Sequence, residues 1–370
     1  MELRIKKDEL LKGTGRAQAI SEKRSSMQIL SNLMLDASGS GLDVIATDLE
    51  IGFRGSLEAD ITTPGRVCLP AKTFHSIVRE LNSEEIYLRE EENQRVFIQG
   101  GRAKYHIAGL PADEYPSLPQ YEEIGLVSIE TDQIQEMLSK TVYSMASEEG
   151  RYNLAGVYLE KLEEEARLRM VSTDGHRLSL VDREVAGLDE LDLEKGAIIP
   201  RKGVLEMSRL LEESDQAKFG VKGSAAVLVA GQSTLMMRLL EARYPDYRQV
   251  IPQDAEGVVF TVKRLDLLEA LRRMTIITSD KYRGVKINIE PDSLTIILQN
   301  PELGEAREKI EAGYSGEAME IGFNSTYLKD ALKAMRSEEV TFSMVESNRP
   351  IKLTGPGDDK FLAVIMPMQV

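Results

Sequence analysis

The chain has 370 residues, 42% hydrophobic and 29% charged, with a formal net charge of −15. That length exceeds what one hydrophobic core ordinarily serves, and the composition excludes disorder as the main state. Three histidines and the single Cys68 leave no material for an intramolecular disulfide or a Cys/His metal cluster. No apolar run approaches the ~18 residues that would cross a bilayer, and MELRIKKDELL alternates charge with apolar side chains, so the expectation is a cytoplasmic protein with no membrane segment. The acidic excess argues against a surface uniformly attractive to nucleic acid, since phosphate affinity comes from Lys and Arg. Where the basic residues stand therefore matters more than their sum.

In chain order, ELLKGTGRAQAI reads as a helix, SNLMLDA as a strand, and LDVIATDLEIGFRGSL as strand, turn, strand around Thr47-Asp48. Phe74, Ile77, Val78 and Leu81 then fall on one helical face, and YPSLP at 115–119 marks an exit. The same order returns: a helix in IQEMLSKTVYSMA, a strand in LAGVYLE, a turn at Thr173-Asp174 in LRMVSTDGHRLSLVD, a helix bearing Val204, Met207 and Leu211, and YPDYRQVIP at 244–252. It returns once more with LDLLEALRRMTII, GVKINIE, the turn at Asn300-Pro301 in LTIILQNPELGEAREKI, the face of Tyr327, Leu328, Ala331, Leu332 and Met335, and IMP at 365–367. The expectation is an α+β chain of three similar domains, with limits at 1–125, 126–253 and 254–370, where QYEEIG and PQDAEG supply polar linkers.

Basic residues recur on these helices. Lys329, Lys333 and Arg336 read as a cationic ridge opposite the apolar stripe; Lys202 and Arg209, Lys72, His75 and Arg79, Lys12 and Arg16, and Arg272 and Arg273 repeat the theme. On any one helix this is the ordinary solvated face. If the helices line one surface, that surface is positive while acidic runs such as 90–92 and 163–165 lie elsewhere, and it would hold phosphates without reading bases.

ATDLEIG at 46–52, STDGHRL at 172–178, IIPRKGV at 198–204, YPDYR at 244–248, YSGEAMEIGFN at 314–324 and VIMPM at 364–368 resemble the bacterial DNA polymerase III beta subunits, a family of replicative sliding clamps, and the likeness spans essentially the whole chain. The resemblance implies the DNA clamp fold: three similar clamp domains in a ring-shaped head-to-tail homodimer, helices lining the inside and antiparallel sheets outside, encircling duplex DNA without sequence specificity. It implies as partners the DNA polymerase III alpha subunit, the clamp loader and other proteins with a clamp-binding motif, and it implies neither catalysis nor a cofactor. For DNA it points to Arg24, Lys72, Arg151, Tyr152, Arg201, Lys202, Lys281 and Arg283. For a partner-peptide pocket it points to Leu154, Thr173, Gly175, His176, Arg177, Leu178, Pro245, Val250, Val364, Met366 and Met368, an apolar floor with Arg177 and His176 orienting the peptide. Gln249 and Gln369 stand where the family pattern leads one to expect basic residues. For the dimer it sets Arg102, Lys104, Tyr105 and Ile107 on one edge against Ile276, Ile277, Glu302, Glu305 and Glu308 on the other.

Two other classes compete with this reading. A hydrolase built on Asp174, His176 and Asp48 would need a nucleophile or metal within reach; GxSxG, Walker and HExxH motifs are all absent, and the Thr-Asp pairs read as turns in which Asp caps backbone donors. An adaptor that never encircles DNA is separable from a clamp by its retention on circular and linear DNA at matched salt.

Overall fold

A computed structural model describes every residue except 22–26, 119–123, 148–150, 163–165, 213, 254–256, 280–281, 359 and 370. The chain forms two compact units, one of 1–131, 189–192 and 205–239, the other of 132–188, 193–204 and 240–370. Six α-helices occur among the described residues: α1 (Lys7–Ile20), α2 (Ala71–Glu80), α3 (Thr131–Thr141), α4 (Arg201–Leu211), α5 (Arg264–Met274) and α6 (Ser325–Ala334).

In the first unit a five-stranded sheet runs Asp60–Thr63, Glu2–Lys6, Glu85–Glu90, Arg95–Gly100, Ala103–Ala108, so the last strand is an edge. A nine-stranded sheet joins the strands of the first repeat to those of the second through one seam, Ile51–Leu57 against Ser233–Arg238, with Met237 opposite Ile51 and Ser233 opposite Gly55. Helices α1 and α2 pack together. Leu10, Gly13, Thr14, Ala17 and Ile20 are the buried face of α1, and a Cβ at Gly13 would press on the Leu57 side chain at 3.0 Å.

In the second unit the same seam recurs. Arg177–Glu184 pairs antiparallel with Phe361–Ile365, Arg177 opposite Ile365, inside an eight-stranded sheet. A four-stranded sheet begins at Gly304–Glu311, again an edge strand. Asn324 caps α6 by accepting the Thr326 N–H at 2.9 Å, as a short polar side chain does at a helix start.

Three expectations for the helices change. The second leading helix stops at Thr141 and the third at Met274, each passing into a 3-10 turn, Val142–Ser144 and Thr275–Ile277. The cationic ridge on α6 is shorter than the spacing suggested, because the helix ends at Ala334 and Arg336 lies beyond its cap. Lys329 is not a free surface cation: it donates to Thr275 Oγ1 at 3.0 Å, and burial, helped by Lys333, lowers its pKa.

Candidate functional site

The Thr-Asp turns are structural, as expected. Thr47 Oγ1 donates to Ile51 O at 2.8 Å and accepts from Leu49 N–H at 3.0 Å, while Asp48 Oδ1 accepts from the amides of Glu50 and Ile51. Thr173 and Asp174 repeat this bond for bond, toward Arg177 O and the amides of Gly175, His176 and Arg177. Each carboxylate's turn-facing oxygen is therefore committed to backbone amides.

Above the second turn the pocket candidates come together. Leu154, Leu178 and Val364 are buried in one cluster with Val171, Leu180, Ile198, Tyr244 and Tyr247. The two tyrosines were missed in the sequence, although YPDYR holds both. Tyr244 stacks on Tyr158 with ring centroids 4.7 Å apart. Tyr247 donates to Glu160 at 2.5 Å, and burial pushes its hydroxyl up to about 12. On this floor Val250, Met366 and Met368 stay 44, 38 and 43% exposed, and Pro245, Gly175 and His176 are exposed as well. The tail is tied down by Met366 N–H to His176 O and Met368 N–H to Gly322 O, both 2.9 Å. An adaptable apolar surface of this kind suits a short peptide better than a single rigid ligand.

Arg177 is fixed at the pocket by contacts within the chain. Its Nε donates to Asp174 Oδ2 at 3.0 Å and its Nη1 to Asp330 Oδ2 at 2.8 Å, and its guanidinium lies 4.4 Å from the Tyr327 ring centroid. It holds the pocket wall. Arg151, expected toward DNA, has its guanidinium lying against Gly175, whose φ is +87°.

Of the other DNA candidates, Lys72 is exposed on α2, Tyr152 is 63% exposed, Arg283 is exposed, and Arg201 and Lys202 open α4 half-buried. Arg24 and Lys281 lie outside the described residues. Several helix cations are bonded within the chain: Arg16 to Ser233 Oγ at 2.9 Å, Arg79 to Glu80, Arg209 to Glu206, and Arg273 to Glu308.

Both dimer candidates are edge strands. Lys104 and Tyr105 are exposed on the first and Glu305 on the second, with Arg102 and Glu302 exposed in the turns just before them. Ile276 is 78% exposed and Ile107 and Ile277 are half-buried. Glu308 is half-buried and held by Arg273 at 2.5 Å; that guanidinium keeps its carboxyl below the ordinary value against a smaller opposing effect of burial.

Among the described residues no group of His, Cys, Asp and Glu could hold a metal, and no helix is long and apolar enough to cross a membrane.

Three family profiles cover the chain in sequence: DNA polymerase III beta subunit, N-terminal domain, over residues 1–119, central domain over 128–246, and C-terminal domain over 248–369. The beta sliding clamps of Caulobacter vibrioides and Pseudomonas putida are each 32% identical over 375 and 372 residues, covering 100% of both chains. The solved sliding clamp of Bartonella birtlesii, bound to griselimycin, superposes with a TM-score of 0.94 at 32% identity and 100% coverage of each chain.

Proposed function

The chain belongs to the DNA polymerase III beta subunit family, the beta sliding clamps, and on that premise we propose how its residues close a ring on duplex DNA and tether partners to it. It is a DNA sliding clamp of the three-domain clamp fold, a processivity factor and no enzyme. Its domains run 1–125, 126–253 and 254–370, and it works in the cytoplasm, where replication occurs.

The observation that carries the ring is the repeated seam. Twice within one chain the strand after a Thr-Asp turn pairs antiparallel with the last strand of the next repeat. The third copy of the first partner is Gly304–Glu311, an edge, and the remaining copy of the second is Ala103–Ala108, also an edge. Two protomers head to tail would join these edges, and the rotation closes after two.

The internal seams supply the register. Asn300 opposite Gly304 matches Thr47 opposite Gly52, and Gly100 opposite Ala103 matches Ala230 opposite Ser233. Carrying the Ser233 to Gly55 pairing over sets Ala103 of the partner subunit opposite Arg307, Tyr105 of the partner subunit opposite Glu305, and Arg102 of the partner subunit opposite Glu308. Burying both edges this way removes templates for nonspecific pairing.

Duplex DNA would be retained by enclosure, with Lys72, Tyr152, Arg201, Lys202 and Arg283 touching phosphates but reading no bases. Arg151 belongs with the peptide pocket. There, Leu154, Leu178 and Val364 form the floor and Val250, Met366 and Met368 the adaptable cover for the polymerase and clamp-loader motifs. Griselimycin on the Bartonella birtlesii clamp gives a probe: its competition with a polymerase peptide for this chain, lost on deletion of Met366–Val370, would support that pocket. For the clamp itself the test is residence. Loaded on nicked circular plasmid the protein should leave slowly, and one cut should release it at unchanged salt; equal rates from circle and line would mark an ordinary electrostatic binder.

A further inference from the structure

One face of the eight-stranded sheet carries three successive cross-strand rows, because alternate residues of a strand share a face. Leu178 opposite Val364 belongs to the pocket floor. Tyr158, Val171 and Leu180 form the next row, and Glu160, Arg169 and Asp182 the third. The segment 244–251 lies over them, with Tyr244 and Tyr247 buried against Val171, Leu178 and Leu180 and with Ile251 packed on the same cluster. Its backbone bonds are local and long, Gln249 N–H to Asp246 O at 3.4 Å and Ile251 N–H to Arg248 O at 3.3 Å. Attachment to the sheet therefore falls to side chains.

The third row makes most of that attachment. Arg169 commits Nε and Nη2 to the two oxygens of buried Asp182, both at 2.7 Å, and donates Nη1 to the Tyr247 hydroxyl at 3.2 Å. That hydroxyl donates to Glu160 Oε2 at 2.5 Å, and the two Glu160 oxygens also accept from Arg248 Nη2 at 2.6 and 2.8 Å. The Tyr247 oxygen thus has one donor and one acceptor, and two consecutive residues of the segment hang from one carboxylate. A half-buried network satisfied in this way fixes directions that apolar contact leaves free. At the other end of the segment the Tyr244 ring stacks on Tyr158.

We propose that Glu160 and Arg169 are positioning residues for the peptide pocket, a latch that holds Tyr247 and Arg248 so that exposed Pro245 and Val250 stand where an incoming peptide meets them. Neither residue touches the peptide; both act through the segment between those two contacts. A wall already held in place loses less freedom on binding, so the latch contributes affinity without contacting the ligand. This rests on the pocket reading given above and deepens it by naming what keeps one wall still.

The test measures the affinity of the folded, full-length protein for a fluorescent peptide bearing the clamp-binding motif of the polymerase III alpha subunit, together with amide hydrogen exchange over 245–251. Tyr247→Phe, which removes one oxygen and leaves the ring packed, should weaken binding by about threefold and Glu160→Ala by about tenfold, both with faster exchange in that segment. Glu160→Gln, which keeps an acceptor, should fall between wild type and Glu160→Ala. Combining Tyr247→Phe with Glu160→Ala should cost less than the product of the two effects, since both cut the same bond. A merely structural role would lower the melting temperature while leaving peptide affinity and the segment's exchange unchanged; that result, or effects that multiply, would overturn the proposal. Should Glu160→Ala not fold, Tyr247→Phe and Glu160→Gln carry the same contrast. Wild-type binding that survives deletion of residues 366–370 would refute the pocket and the latch with it, whereas binding lost on that deletion but intact in Tyr247→Phe and Glu160→Ala overturns the latch alone.

Discussion

The two seams share a backbone and differ in how they are clasped. In the first unit the tenth residue of the leading helix, Arg16, reaches Ser233 Oγ at 2.9 Å. In the second unit the tenth residue, Lys140, is fully buried and bonded to Asp358 and, at 3.0 Å, to Glu136. Arg183 also holds Glu136, at 2.5 Å, and Asp358 Oδ2 accepts the Arg336 N–H at 3.0 Å, just past the end of α6. In the third repeat the tenth residue is Arg273, paired with Glu308 on the edge strand assigned to the partner. One cation per repeat stands beside each seam, and its acceptor changes from hydroxyl to buried carboxylate to half-buried carboxylate. A repeated fold fixes where a side chain points; the partner's chemistry fixes what it is worth.

The largest effect should come from breaking the buried clasp. Lys140→Ala leaves the buried Asp358 carboxylate without its cation and Glu136 with Arg183 alone, and removal of one member of a buried pair costs about 3–5 kcal/mol. Arg16→Ala should cost only ~1 kcal/mol, the scale of a single hydrogen bond. Urea unfolding of both variants measures the contrast, and equal losses would erase the distinction between the seams. Lys140→Met with Asp358→Leu should recover much of the loss, since an apolar replacement of a buried pair is often neutral.

Next in size is pH. Burial alone would raise the Glu136 carboxyl, but Arg183 and Lys140 outweigh it and hold it at about 2, below the ordinary 4.5. A depressed carboxylate contributes stability that is fully present above the ordinary value and disappears as pH falls through 4.5 toward 2. Wild type should therefore exceed Glu136→Gln by up to ~3 kcal/mol at neutral pH, the gap closing across that window. A gap that is constant with pH would show that the carboxylate's charge is irrelevant to the clasp.

A smaller change is expected at the third clasp. Charge reversal of Arg102 and Lys104 sets like charges against Glu308, directly opposite the first and diagonal to the second, weakening the dimer by about tenfold or more at low salt, ~1.4 kcal/mol, and less at high salt. Sedentary mass at all concentrations, read by sedimentation equilibrium, would remove those residues from the interface. Smallest of all, Lys72→Ala should leave stability within ~0.5 kcal/mol while slightly reducing the salt dependence of residence on DNA.

The threefold order, the turn roles of Thr47-Asp48 and Thr173-Asp174, and both edge strands could be read from sequence because each is a local pattern: alternation, a helical stripe, an Asx turn. What could not be read depends on distant pairing. Lys140 in QEMLSKT looks like any solvated helix lysine; its burial is decided by Asp358, 218 residues away. The contacts of Arg177 with Asp330, 153 residues on, and with Tyr327 are equally invisible in STDGHRL. That the Arg151 guanidinium lies against Gly175 is likewise not written in its own loop sequence. The compact units cut across the repeats for the same reason: strand pairing at the seams links the strand after the Thr-Asp turn of one repeat to the last strand of the next.

The third seam can be tested by covalent closure. Ser233 and Gly55, next to the hydrogen-bonded Ser56 N–H to Gln232 O pair, form a non-hydrogen-bonded pair, where facing side chains approach most closely, so Ala103→Cys with Arg307→Cys should oxidise to a disulfide across the dimer. The expected product is a covalent ring that survives denaturant on nicked circular plasmid and is lost when the plasmid is cut. Failure of that pair to cross-link while a pair shifted by one residue does, or covalent dimers that leave circular and linear DNA equally fast, would contradict a ring closed by the third copy of the seam.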